Sequence, residues 1–415
     1  METPGQHGGI ADSLGRSLAA DQSPAADQQD LHFLLIRGDL LFRAQRAIGL
    51  IPREGLGSTR RAIVFALITW LPIVLWAVIY GRALPGIASE PLLQHFGVHV
   101  RCLVAIPLLI MGEVVAQGIV GRLIPQFVRS GLVNEGNIAQ FVDILKDTAR
   151  LRDASLPWVF VIGLVIGWAV VSPSAWNVRE VVWADEANIG GPRLGFGGWW
   201  FLYVTRPIFT ALLLAWMWRL ALVTSLLWRI ARLDLALVLT HPDRAGGLGF
   251  LEGLPFAFSP FVLALSAVLA SQWAHDLLYH GVQVYSLKLP LVVFIAVMLG
   301  LLLAPLAVFA RPLMAGKRRA SLEYGALVAE HGRLVRRRWI LHEPVANEDL
   351  LQAPELGPVA DTVSLYDAVA RTRPVPIGMR ALVAGLVPAL LPMLAAAAVQ
   401  VPIKDMVMKL VGILL

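Results

Sequence analysis

Long apolar stretches, each of roughly twenty residues with almost no charge, alternate along the chain with polar and basic segments. About twenty apolar residues are what an α-helix needs to cross a hydrocarbon core. Seven such stretches fall near 62–80, 101–120, 156–172, 200–224, 256–277, 289–310 and 381–399. Their apolar runs are continuous, whereas a transmembrane β-barrel needs alternating segments of about ten residues. The pattern predicts an all-α fold, a polytopic transmembrane helical bundle of about seven spans.

The remaining pattern divides the chain. Residues 1–30 are rich in Gly, Ala, Ser, Asp and Gln and read as a disordered tail. Residues 31–61 form a juxtamembrane segment in which Leu31–Leu50, carrying Arg37, Arg43 and Arg46, reads as an amphipathic helix on the membrane surface. Residues 62–310 make a six-span membrane domain with cytoplasmic segments at 121–155 and 225–255. Residues 311–380 open with a basic helix containing Lys317, Arg318 and Arg319, followed by acidic Glu343, Glu348, Asp349, Glu355 and Asp361. That arrangement predicts a hairpin folded on itself, although surface ion pairs are worth only about 0–1 kcal/mol each. Residues 381–415 hold the seventh span and an amphipathic tail with Ile403, Met406, Val407 and Leu410 on one face. Spans 1–3 and 5–7 share an orientation, and Ala149–Arg152 and Ala370–Arg373 both read A-R-x-R before the third span of each trio. This suggests a 3+1+3 internal repeat, with span 4 as the linker.

Composition agrees with a membrane protein. The chain is 57% hydrophobic and 15% charged, with a mean hydropathy of +0.67; soluble domains are about 45–50% apolar and about 25% charged. A net charge of +6 and a pI of 9.8 do not point to nucleic acid, because the basic residues cluster beside the spans. The segments 1–61, 121–155, 225–255 and 311–380 hold 26 of the 35 Lys and Arg. The positive-inside bias then predicts a cytoplasmic N-terminus and contact between these segments and anionic lipid. No cleavable signal peptide is expected, since residues 1–30 are polar. Trp176, Trp183, Trp199 and Trp200 suit an interfacial belt. Cys102, the single cysteine, excludes an intrachain disulfide and reads as a small buried residue.

The most distinctive run is Thr240–Leu251, T-H-P-D-R-A-G-G-L-G-F-L. Pro242 ends a helix, and Gly246, Gly247 and Gly249 permit positive φ and close backbone approach. The glycine amides with Arg244 suggest an anion nest; alternatively, the run is a structural turn in which His241 and Asp243 satisfy backbone groups. No G-K-[ST] follows, so it is not a P-loop. At these residues the chain resembles an uncharacterised family of bacterial multi-pass inner-membrane proteins with an H-P-D-x-x-G-G-L-G-F-L core. The resemblance extends to R-P-V-P at Arg373–Pro376 and to P-I-K-D-M-V-M-K-L-V-G near the C-terminus. It implies a helical fold in a bacterial inner membrane and brings no activity with it.

Two groups of residues carry candidate chemistry. Glu113, Arg206, Arg219 and Gln272 fall inside predicted spans, where ionisable groups face the bundle interior and find partners. Glu113 with Arg219 is the natural pair, either as a register-fixing ion pair or as a gate on a polar path. Glu90, His95 and His99 precede span 2, while His275, Asp276 and His280 close span 5. Imidazoles with carboxylates are ligands for zinc or another divalent ion, but interfacial histidines are common and nothing in the sequence shows that spans 2 and 5 touch. No H-E-x-x-H, G-x-S-x-G, C-x-x-C or Rossmann fingerprint is present, and no cofactor is specified. Three functions remain open: a transport- or channel-like protein using Glu113, Arg206 and Arg219, a non-catalytic scaffold or regulatory subunit binding a protein partner or a second copy, and a metal-dependent membrane enzyme using the histidines.

Overall fold

A computed structural model describes residues 33–36, 40–47, 49–51, 56–86, 90–171, 179–184, 194–344 and 357–400. Helices dominate, and no β-strand occurs among the described residues. A short helix α1 (Leu40–Ala47) precedes α2 (Ser58–Ile79) and α3 (Phe96–Arg129). Then come α4 (Glu135–Asp153), α5 (Leu156–Val171), α6 (Phe196–Ile230) and α7 (Pro255–Tyr279). The remainder are α8 (Lys288–Ala307), α9 (Ala310–Val335), α10 (Gly357–Ala370) and α11 (Met379–Ala397). Six of these, α2, α3, α6, α7, α8 and α11, are long and apolar enough to cross a membrane. The protein is a helical membrane protein. The third expected span, 156–172, is helical as α5, whose described part has 16 residues, about 24 Å at 1.5 Å per residue, against a core of about 30 Å.

α3 and α6 open alike. Each begins Phe-Gly, runs five residues as α-helix, widens into a π turn at Arg101–Ala105 or Phe201–Thr205, and then carries a proline, Pro107 or Pro207. Proline lacks an N–H, and its ring clashes with the carbonyl four residues back. Those carbonyls, Leu103 and Tyr203, lie within the π turns, whose wider ladder relieves the clash.

Elsewhere prolines free a carbonyl that a neighbouring helix then satisfies. Pro388 leaves the Ala384 carbonyl to accept from Ser259 Oγ at 2.6 Å, joining α7 to α11. Pro72 leaves Ile68 to accept from Trp200 Nε1 at 2.9 Å, joining α2 to α6. Such bonds matter because a membrane interior offers no water to replace them. α7 is central, packing most extensively on α11 and α3. Its approach to α3 needs Gly112, where a Cβ would lie 2.6 Å from Pro260 Cβ.

Two expectations are modified. The surface helix over 31–50 is replaced by α1 and, before it, a non-helical segment with Phe33, Leu35 and Ile36 buried in the main core. Ile36 N–H donates to Gln117 Oε1, and Arg152 donates to the Leu34 carbonyl, so this stretch is tucked into the bundle. The hairpin in 311–380 forms between α9 and α10 through packing and capping. Lys317 Nζ donates to the Ala370 and Thr372 carbonyls at the end of α10, and His331 meets Thr362. The tail 1–30, the acidic residues Glu348, Asp349 and Glu355, Trp176 and the C-terminal helix 403–415 lie outside the described residues.

Candidate metal centre

One end of the bundle gathers the histidines. Glu90 lies in the connection between α2 and α3, and three imidazoles approach its carboxylate. His95 Nε2 is 3.3 Å and His275 Nε2 3.5 Å from Oε2, while His280 Nε2 is 3.5 Å from Oε1. α7 presents the last two. At its end the His280 and Val282 amides both bond to the Asp276 carbonyl, and Gly281, at φ +64°, turns the chain back. This left-handed cap folds His280 over the helix end beside His275.

The outer nitrogens are already spoken for. His275 Nδ1 lies 2.9 Å from the Gln94 carbonyl, which only accepts, so in the neutral ring that nitrogen is the donor and Nε2 carries the lone pair. His280 Nδ1 faces Asp276 Oδ1 at 3.5 Å. Metal-bound histidines are oriented in this way, with one nitrogen on a carbonyl or carboxylate and the other on the ion. Ligand atoms of Glu90, His275 and His280 all lie within 4.8 Å of one another. Donors around tetrahedral zinc, at about 2.0–2.1 Å from the ion, stand roughly 3.3 Å apart. The His275 and His280 separations from Glu90 suit neighbours in one coordination sphere. His95 stacks on His275 with ring centroids 4.9 Å apart, fixing that ring from its other face.

The cluster opens into a cavity of about 310 Å³ whose walls include Arg101, Phe201, Gln272 and Trp273. Arg101 comes from the π turn of α3 and Phe201 from that of α6, so both irregular turns face this space. The Arg101 guanidinium lies over the rings of Phe201 and Phe209, at 5.2 and 5.5 Å from their centroids.

His99 is not part of the cluster. Its Nδ1 accepts from Trp70 Nε1 at 2.9 Å, and its Nε2 faces the Leu92 carbonyl at 3.1 Å, so both nitrogens are used in packing. Gln272 joins the cavity rather than the other intramembrane polar residues. Arg206 is half-buried where the π turn of α6 gives way to α-helix, outside the cavity lining. Glu113 and Arg219 do pair, at 2.8 Å, and Arg61 completes a triad at 2.5 Å from the other carboxylate oxygen. All three side chains are 3% exposed or less. They clamp α2, α3 and α6 in a dry interior.

The loop after α6 holds its own anion. Asp243 accepts from the amides of Ala245, Gly247 and Gly249 at 2.8, 3.3 and 2.8 Å, and His241 Nδ1 is 3.0 Å away. The nest of glycine amides is therefore filled by a residue of the turn itself. Burial alone would raise the Asp243 carboxyl; the amides of Ala245, Gly249 and Gly247, with His241, outweigh it and hold the carboxyl below its ordinary value. Arg244, at φ +54°, is exposed, and its carbonyl accepts from the Arg373 amide at 2.8 Å. Arg373 also reaches Glu252 at 2.9 Å, and Thr372 Oγ donates to the Leu239 carbonyl, so the turn is locked to the end of α10.

Arg61 and Arg101 were not legible as site residues. Both sit near span ends, where arginine ordinarily snorkels to the headgroups. A signal existed for Arg61: Arg60 and Arg61 are adjacent, about 100° apart around a helix, so one of them turns inward. No protein-family model, curated protein or solved structure matches the chain.

Proposed function

We propose that this membrane protein binds a divalent ion of the zinc class through Glu90, His275 and His280, in a centre of the catalytic rather than the structural kind. The observation that supports it most is the placement of the two imidazoles. Each turns Nδ1 to an oxygen acceptor and Nε2 to one oxygen of Glu90, at the spacing of a shared coordination sphere. Three protein ligands beside a cavity leave an open position, as in zinc enzymes, where the ion polarises a substrate oxygen or lowers the pKa of bound water. His95 and Asp276 act as positioning residues.

A transport path through Glu113, Arg206 and Arg219 draws less support, because Glu113 and Arg219 are sealed with Arg61 and none of the three lines the cavity. Charge asymmetry supports a bacterial inner-membrane orientation with the basic end, including α9, against anionic lipid in the cytoplasm and the histidine end outside. The scaffold role would then belong to that basic end.

Metal analysis of the purified full-length protein is expected to find one zinc-class ion per chain. His275→Ala and His280→Ala are expected to lose it, and His99→Ala to keep it. In right-side-out spheroplasts a membrane-impermeant chelator should strip the ion. Stripping only after detergent lysis would reverse the orientation, and a parent protein that takes up no metal would end the metal reading.

A further inference from the structure

We infer that the groove between α6 and α8 binds one acidic phospholipid, with an acyl chain in the groove and the phosphate on the guanidinium of Arg232; this stands whether or not the metal centre does. The groove encloses about 440 Å³, within the range of ligand sites, about 300–1,000 Å³. Ala221 and Ser225 on α6 and Ala304 on α8 are small and leave room between the helices, and Met217, Leu301 and Trp228 line the same space. Thr224, also in the wall, donates its hydroxyl to the Leu220 carbonyl at 2.7 Å and needs no partner from an occupant. Met217, Ala221, Trp228 and Ala304 are exposed on two helices that cross a membrane, so the groove opens onto the bilayer.

Its length and its end point to a lipid. Met217 and Trp228 are separated by about 17 Å of helix at 1.5 Å per residue, close to half of a hydrocarbon core of about 30 Å. The groove is therefore one leaflet deep. It ends at Trp228, just before α6 stops at Ile230, and tryptophan is a residue of the headgroup level. There the Arg232 guanidinium lies over the Trp228 ring, 3.5 Å from its centroid. Stacking occupies the face of the guanidinium and leaves its N–H edge, a fork that fits two oxygens of one phosphate. Arg229 already faces Asp147 of α4 at 3.8 Å, whereas Arg232 is exposed and makes no ion pair among the described residues.

Charge selects the occupant. Small residues spaced as Ala221 and Ser225 are also admit a second helix. In a two-fold dimer, however, the groove would meet its own copy and set two Arg232 side chains against each other, a like-charge contact that costs several kcal/mol. A zwitterionic lipid offers the same phosphate but brings an ammonium to a mouth that holds Arg229 and Arg232. Arg311, exposed at the start of α9, follows Val308 of the groove wall and adds to that positive end. A headgroup with net negative charge fits it.

The test is native mass spectrometry of the full-length protein in detergent, with equal amounts of dioleoyl phosphatidylglycerol and dioleoyl phosphatidylcholine added. One phosphatidylglycerol per chain is expected to be retained in preference. Arg232→Gln is expected to cut that preference about fivefold, the worth of one basic residue at a lipid surface. Arg318→Gln, at an exposed position on α9, is expected to leave it unchanged. Ala304→Leu fills the groove and is expected to abolish the retained lipid, with the melting temperature in lipid-free detergent unchanged. Should that variant melt early, Ala221→Leu fills the groove from the other helix and serves in its place. Equal retention of the two lipids, a preference untouched by Arg232→Gln, an equal fall in Arg318→Gln, or lipid still held by a folded groove-filled variant overturns the inference. A dimer that Ala304→Leu converts to monomer also overturns it and gives the groove to a second copy.

Discussion

Glu113 is the residue on which three helices agree. One carboxylate faces two guanidiniums, from Arg61 and Arg219, and water reaches none of them. Glu113→Gln would leave two buried cations without their counter-charge, and breaking a buried pair in this way costs about 3–5 kcal/mol. The expected result is a large fall in melting temperature in detergent; an unchanged melting temperature would show that the triad adds nothing to the fold. Asp243 is the second such residue. Asp243→Ala strands the amides of Ala245, Gly247 and Gly249 and is expected to cost about 1–3 kcal/mol. Its carboxyl is held below the ordinary value of 3.8. The turn's stabilisation is therefore complete above that pH and fades only as pH falls through the lower, folded value. Proteolysis at the Thr240–Leu251 loop, followed from neutral to strongly acidic pH, reads this directly: early opening near pH 5 would contradict it. The pairing of Glu113 with Arg219 was legible in the sequence, because charges inside apolar spans must find partners. Arg61 was not, because a span-end arginine has a cheaper place in the headgroups.

At the scale of elements, proline does much of the joining. Each interior proline frees a carbonyl, and where a donor from the next helix reaches it, a local defect in one helix becomes a contact between two. Ser259 and Pro388 form such a unit across α7 and α11. Ser259→Ala is expected to destabilise the protein by about 0.6 kcal/mol, the average for interhelical bonds in membranes. In a Pro388→Ala background the Ala384 carbonyl regains a helical donor, and the same change should cost close to nothing. A double-mutant cycle measures this, and equal costs in both backgrounds would refute the coupling. The hydropathy pattern showed where helices lie and nothing of this kind, since apolar runs say that a span exists and not where its ladder widens. The π turns at Arg101–Ala105 and Phe201–Thr205 were equally invisible, although the Phe-Gly openings and the prolines that cause them were on view.

For the whole molecule, apolar run length was enough to show a helical membrane bundle. Six of the seven apolar runs form helices long enough to cross a membrane, and the other, α5, is apolar throughout with 16 described residues. Periodicity could not say which spans touch. Glu90 lies in the connection before α3 and His275 in α7, and they meet only because α3 packs on α7, an approach that hangs on Gly112 facing Pro260. The histidines were therefore visible as a list and not as a cluster. Likewise, the burial of Phe33, Leu35 and Ile36 depends on a cleft that no local pattern announces.

The placement of Glu90 has one more consequence, and it concerns the order in which the chain becomes rigid. The residue sits on a connection, while both imidazole partners sit at the end of a central helix far along the sequence. An ion held among them would act as a removable cross-link closing a very long loop, bound by the folded chain and hardly at all by the unfolded one. Such a ligand lends the native state about 2.7 kcal/mol at a hundred times its dissociation constant. The rigidity of that end of the bundle would then follow the supply of free metal around the cell, so that the same chain is tight in a metal-replete medium and loose in a starved one.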